Sequence, residues 1–226
     1  ASRGPLRFSE HAPLKWIHRF QFIHAFFFYG LMTFTKVFND FGKLHQANIN
    51  GVTKSLGKDP RRMSAELLLA KAIYFSMIFG LPLWLTPLTF GQVFLGFFVM
   101  HFVSGFILGV VFQLAHVVEN AEQPLPDADG IIHTDWVVHE MRTTANFAPG
   151  GDLLFWYTGG LNHQVEHHLF PHICHVHYRA IAPIVERTAR EHGVPYNTHK
   201  TFFGALGSHI RRLKELGRPE VVPALA

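Results

Sequence analysis

Residues 66 to 86, ELLLAKAIYFSMIFGLPLWLT, decide how the chain is read: they run apolar for long enough to cross a bilayer, with Lys71 near the start as the one interior charge. A long lysine stem there is expected to snorkel toward water. Four residues later a second apolar run begins at Phe90 and stays helix-compatible to about Val118. At 1.5 Å per residue it reaches roughly 40 Å, against a hydrocarbon core of about 30 Å, so its end protrudes. The link between the two, Thr86-Pro-Leu-Thr89, is short and uncharged, as an outer turn should be. The connection before the first run, 39 to 62, carries Lys43, Lys54, Lys58, Arg61 and Arg62 and is expected to stay in the cytoplasm. Both termini then lie on that side. The protruding end of the second run brings Gln113 and His116 out there too.

Composition agrees with a lipid solvent. Of the 226 residues 48% are hydrophobic, only 16% are charged and 23 are Phe. A formal net charge of +4 suits anionic headgroups or an acidic redox partner, and no nucleic-acid motif is present. The single Cys174 excludes an internal disulfide framework and any Cys-rich zinc motif. Any metal must be held by histidine, carboxylate or amide, and 17 His are available. Upstream, Phe20 to Phe38 is apolar enough to tempt a third span, but that would put one basic flank outside; it is expected to lie in the interface instead.

The chemistry concentrates in Gly159-Gly-Leu-Asn-His-Gln-Val-Glu-His-His-Leu-Phe-Pro171. If this run is helical up to the proline, Gln164, His167 and His168 stand at i, i+3 and i+4 on one face. Pro171 ends the ladder and so fixes where the last imidazole points. Nitrogen and oxygen donors without thiolate suit non-haem iron, although zinc and copper also accept imidazole. His163-Gln-Val-Glu166-His167 matches the H-x-x-E-H pattern of inverted zincins, in which two His bind zinc and the Glu is a general base. A further possibility is a membrane protein whose histidines bind metal without catalysis. Around this run, short helices are expected over 136 to 147, 178 to 192 and 201 to 216. The expected fold class is all-α: a membrane helical hairpin, an interfacial helix, and a cytoplasmic helical cap over about 119 to 216 that carries the metal site.

Asn162-His-Gln-Val-Glu-His-His-Leu-Phe-Pro-His-Ile-Cys-His-Val-His-Tyr178, with Gly-Gly-Leu just before it, resembles the third histidine box of membrane fatty acid desaturases in its Q-x-x-H-H, front-end form. FQLAHVVE around His116, VHEMRTTANF around Asn146, Leu6-Arg-Phe-Ser9 and His18-Arg-Phe-Gln21 resemble the same group, so the similarity runs from about residue 5 to residue 216. The resemblance implies a two-iron, O2-dependent oxidoreductase that desaturates a long fatty acyl chain on CoA or on a lipid, within the membrane. A related acyl hydroxylase is the near alternative. Ferredoxin or a cytochrome b5-like carrier would supply electrons. It also implies Gln164, His167, His168 and His116 as metal ligands, with Glu166 as an outer partner. The family's H-x-x-x-H and H-x-x-H-H boxes are missing upstream, where His11, His18, His24 and His45 have other spacings. The chain is therefore expected to be the C-terminal portion of a single desaturase domain, 1 to 226, inactive alone.

Overall fold

A computed structural model describes residues 4–219. The chain divides into two compact units, one over Phe27–Gly109 and the other formed by the segments on either side of it. Among the described residues helices dominate: α1 Gln21–Ile49, α2 Val52–Ser55, α3 Pro60–Phe75, α4 Leu81–Leu85, α5 Phe90–His116, α6 Trp136–Thr143, α7 Asp152–Tyr157, α8 Gln164–Leu169, α9 Tyr178–Glu191 and α10 Phe202–Leu216. Strands β1 (Asn146–Phe147) and β2 (Thr198–His199) form one short parallel pair.

Within the first unit, α3 starts where Asp59 accepts a bond from the Arg61 N–H and Pro60 occupies the first helical position, where no N–H is needed. The helix thus begins six residues before the expected Glu66. Between α3 and α4, Ser76–Gly80 forms a π-turn. Pro82 follows at once; without an N–H, and with a ring that crowds the preceding turn, it breaks the regular ladder there. Pro60–Leu85 and Phe90–His116 are each long and apolar enough to cross a membrane. The second ends within two residues of expectation.

Helix α1 is longer than expected, because Gly42 does not stop it. A mid-helix glycine costs only about 1 kcal/mol, and contacts with α3 outweigh that: Asp40 pairs with Lys71 at 2.7 Å and Asn48 approaches Ser64. Lys71 therefore has a carboxylate partner rather than snorkelling alone. The helix stops before Gly51, which takes a left-handed φ of 73°. The polar connection shrinks accordingly, from 39–62 to the residues between Ile49 and Pro60. Nearer its start α1 packs on α5 through small residues. A Cβ on Gly105 would stand 2.5 Å from the Gly30 carbonyl oxygen, and one on Gly109 would stand 2.6 Å from the Tyr29 Cβ. Beside this contact His101 meets the Tyr74 hydroxyl at 2.7 Å and Thr33 Oγ1 at 3.2 Å.

The second unit corrects one expectation directly. The helix over 136 to 147 ends at Thr143, and Thr144 is extended. The Ala145 N–H bonds to the Ala115 carbonyl at 2.8 Å, so the last turn of α5 takes a donor that a continuing helix would need. Asn146 and Phe147 then pair with Thr198 and His199. Amphipathic α9 buries Val185 and Ala189 against Met141 and Val165, which fixes α8 between α6 and α9.

His209 ties α10 to the end of α5 by donating from Nδ1 to the Val117 carbonyl at 2.7 Å. Burial pushes its pKa below the ordinary histidine value, partly opposed by that hydrogen bond. The unfolded chain therefore takes up the proton first. The stability from this neutral imidazole is complete above about pH 6.5 and is lost as pH falls through the depressed folded value. Thermal unfolding at pH 7 and pH 5 should show the midpoint falling on acidification, and falling less in His209→Gln, which keeps a donor for Val117. Equal falls would show that His209 is not the titrating group.

Candidate metal centre

Helix α8 has only six residues, too few to hold itself together in water. Tertiary contacts place it. Its approach is a left-handed turn at Gly159 and Gly160, and a Cβ on Gly160 would come within 2.8 Å of the His175 Cβ, so only glycine fits there. His163, at the N-cap, makes no side-chain cap. Asn146 does that work from β1: its Oδ1 accepts from the Val165 N–H at 2.9 Å. The Asn146 amide also donates to Glu166 Oε2 at 2.8 Å, and the Tyr196 hydroxyl donates to Glu166 Oε1 at 2.8 Å. Burial first, and then the Glu166 carboxylate, raise the pKa of Tyr196, so it remains a phenol donor.

These contacts turn Val165 and Glu166 inward and leave Gln164, His167 and His168 on the other side, on the one face expected. Gln164 Nε2 lies 3.3 Å from His168 Nε2. The His168 ring stands 5.2 Å from that of His116, edge to face, and 5.8 Å from that of His167. His116 comes from the last residue of α5 and is hydrogen-bonded to the Thr143 backbone. The four expected residues therefore share one neighbourhood, drawn from two distant parts of the chain. Among the described residues, no group of three or more His, Cys, Asp or Glu is placed to hold a metal ion.

Their hydrogen bonds bear on what the neighbourhood can bind. Glu140 Oε2 accepts from His168 Nδ1 at 2.6 Å. A carboxylate on that nitrogen is the arrangement that orients a metal-binding imidazole. His167 Nδ1 lies 3.3 Å from the Tyr178 hydroxyl. Burial, reinforced by His168, lowers the His167 pKa, which keeps that ring neutral near pH 7. Gln164 Oε1 is buried without a hydrogen-bond partner. A buried carbonyl oxygen in that condition costs about 1–3 kcal/mol, and a cation would satisfy it. Imidazole nitrogens, an orphaned amide oxygen and no thiolate form a donor set that fits non-haem iron.

His163 lies elsewhere, buried and edge-on to the Phe155 ring at 5.6 Å. Glu166 is wholly buried and tied to Asn146 and Tyr196, and the carboxylate that meets one of the four expected residues is that of Glu140 instead. The same burial argues against inverted-zincin chemistry, because a general base must reach a metal-bound water. Sequence reasoning passed over Glu140, Tyr178 and Tyr196. No spacing rule joins them to residues 164–168; the quoted stretch around Asn146 holds Glu140 and the quoted histidine stretch ends at Tyr178, but neither gave them a role.

Comparison with known proteins adds an independent finding. The family described as fatty acid desaturase matches residues 3–200. The sn-1 linoleoyl-lipid 6-desaturase of Arthrospira platensis is 34% identical over 216 residues, covering 93% of this chain and 56% of its own. That of Synechocystis sp. is 41% identical over 155 residues, covering 68% and 43%. The acyl-lipid (8-3)-desaturase of Physcomitrium patens is 36% identical over 211 residues, covering 92% and 43%. The chain spans about half the length of these curated relatives. No solved structure matches it.

Proposed function

The chain belongs to the fatty acid desaturase family, and from that membership we propose that the protein of which it forms part introduces a double bond into a long fatty acyl chain, using two non-haem iron ions and O2. The observation that carries this reading is the meeting of His116 and His168 at 5.2 Å, with Glu140 on the far nitrogen of His168. His116, Gln164, His167 and His168 would hold iron, within a single domain over 1 to 226. Iron, when bound and reduced, supplies the oxygen activation that no protein side chain can. This chain's own residues orient the imidazoles: Glu140 accepts a hydrogen bond from His168 Nδ1, Tyr178 faces His167, and Asn146 with Tyr196 anchors the helix beneath them. Further ligands are needed to complete a two-iron centre.

The names of the relatives favour an acyl chain on a membrane lipid over one on CoA. Two spans that place the site on the cytoplasmic side, with residues 20 to 38 at the interface, would let a lipid present its chain from the bilayer. Electrons would come from ferredoxin or a cytochrome b5-like protein. An acyl hydroxylase with the same ligands is the near alternative, and non-catalytic metal binding the remote one.

Lipid analysis of cells expressing the complete protein decides among these. New double bonds, with oxygen uptake tied to acyl substrate, are the expected result. Hydroxy acids without new double bonds would establish the hydroxylase instead, and no oxygen uptake would leave metal binding alone.

A further inference from the structure

The end of α10 is built into a second surface feature, whose lining shares no residue with the candidate metal centre. Its last carbonyls need donors, and two side chains near the start of the chain supply them. Arg7 Nη1 donates to the Leu216 carbonyl at 2.7 Å and Gln21 Nε2 donates to that of Leu213 at 2.9 Å. The Gln21 amide also pairs with the Arg7 backbone in both directions, at 2.8 and 3.0 Å. A Cβ on Gly217 would stand 2.3 Å from the His18 carbonyl oxygen, so glycine is required where the turn Trp16–Phe20 lies against the helix end. These contacts hold open a groove of about 1050 Å³.

The groove is basic and aromatic. Lys15, Arg19, Lys214 and Arg218 line it with Trp16 and Phe20, and among the described residues no carboxylate lines it. The Lys214 ammonium sits 4.8 Å from the centre of the Phe22 ring and the Arg19 guanidinium 5.9 Å from that of Phe20. Beside these cations, Trp16 is 83% exposed, Ile23 63% and Phe20 51%. Trp16 opens the 3-10 turn, and Phe20 and Ile23 stand one turn apart where that turn runs into α1.

We propose that this groove seats the headgroup of an anionic membrane lipid, with Trp16, Phe20 and Ile23 at the boundary between headgroups and acyl chains. Charge complementarity selects an anion. The exposed apolar side chains select a bilayer: a soluble acidic protein would answer the cations but leave a tryptophan, a phenylalanine and an isoleucine facing water. The assignment does not depend on iron or on the reaction.

Each Lys or Arg close to an anionic surface contributes about fivefold in affinity. For the full chain purified in detergent, native mass spectrometry with phosphatidylglycerol and phosphatidylcholine of identical acyl chains should show phosphatidylglycerol retained at least about tenfold better. Combining Arg19→Gln, Lys214→Gln and Arg218→Gln should bring the two lipids to parity. The control pair Arg187→Gln and Arg190→Gln, at exposed positions on α9, should leave the preference intact. If the triple variant does not fold, raising NaCl from about 0.05 to about 0.5 M must erase the wild-type preference by screening. Equal retention by the wild type, a preference that survives the triple variant or the salt, loss of preference in the control pair, or an acidic protein outcompeting the lipid at this groove would overturn the proposal.

Discussion

Replacing His168 by Ala in the complete protein is expected to remove both its iron and its activity. The residue stands where Gln164, His116 and His167 approach one another, and its Nδ1 already serves Glu140. Alanine removes the donor atom and leaves the Glu140 carboxylate without its partner. His167→Ala is expected to do the same. Glu140→Gln should be milder, lowering iron affinity by about 10–100-fold, because an outer partner orients a ligand without being one. His163→Ala behaves differently. It empties a buried site against Phe155 and should cost about 2–4 kcal/mol of stability, yet iron per folded molecule should hold. Metal analysis beside thermal unfolding separates these outcomes. Should His163→Ala strip the metal as thoroughly as His167→Ala, with zinc recovered from the wild type, the inverted-zincin assignment would replace the iron one.

The second large effect concerns a residue outside the ligand set. Glu166→Ala should destabilise the protein by about 3–5 kcal/mol, since it takes the acceptor from the Tyr196 hydroxyl, leaves the Asn146 amide only the Tyr196 oxygen, and opens a void. Glu166→Gln should cost only about 1–2 kcal/mol. Its carbonyl still accepts from Asn146, and its NH2 can donate to the Tyr196 oxygen once that hydroxyl turns. Denaturant unfolding of the two variants measures the difference directly. Equal losses would show that the carboxylate is not held by these two donors. The pair also tests chemistry: a peptidase general base would not survive conversion to an amide, whereas a buried anchor would keep activity in proportion to folded protein.

These variants also mark how far the sequence alone reaches. Helical periodicity is a local property, so the shared face of Gln164, His167 and His168 follows from their spacing, as do the two long apolar runs and the ends of α9 and α10. His116 entered as a ligand through family resemblance, since nothing local joins it to residue 168. What meets what across the fold depends on how separate elements are packed, and spacing does not encode that. Asn146 leaves a helix-compatible stretch because Ala115 takes the Ala145 N–H, and it thereby becomes the cap of α8. Glu140 rather than Glu166 meets His168, because α8 turns Glu166 toward Asn146 and Tyr196 in the interior. Helix α1 continues to Ile49 past a glycine because α3 lies beside it with Lys71 for Asp40. In each case a long-range partner outweighs a local preference of about 1 kcal/mol, and that partner exists only once the chain has folded.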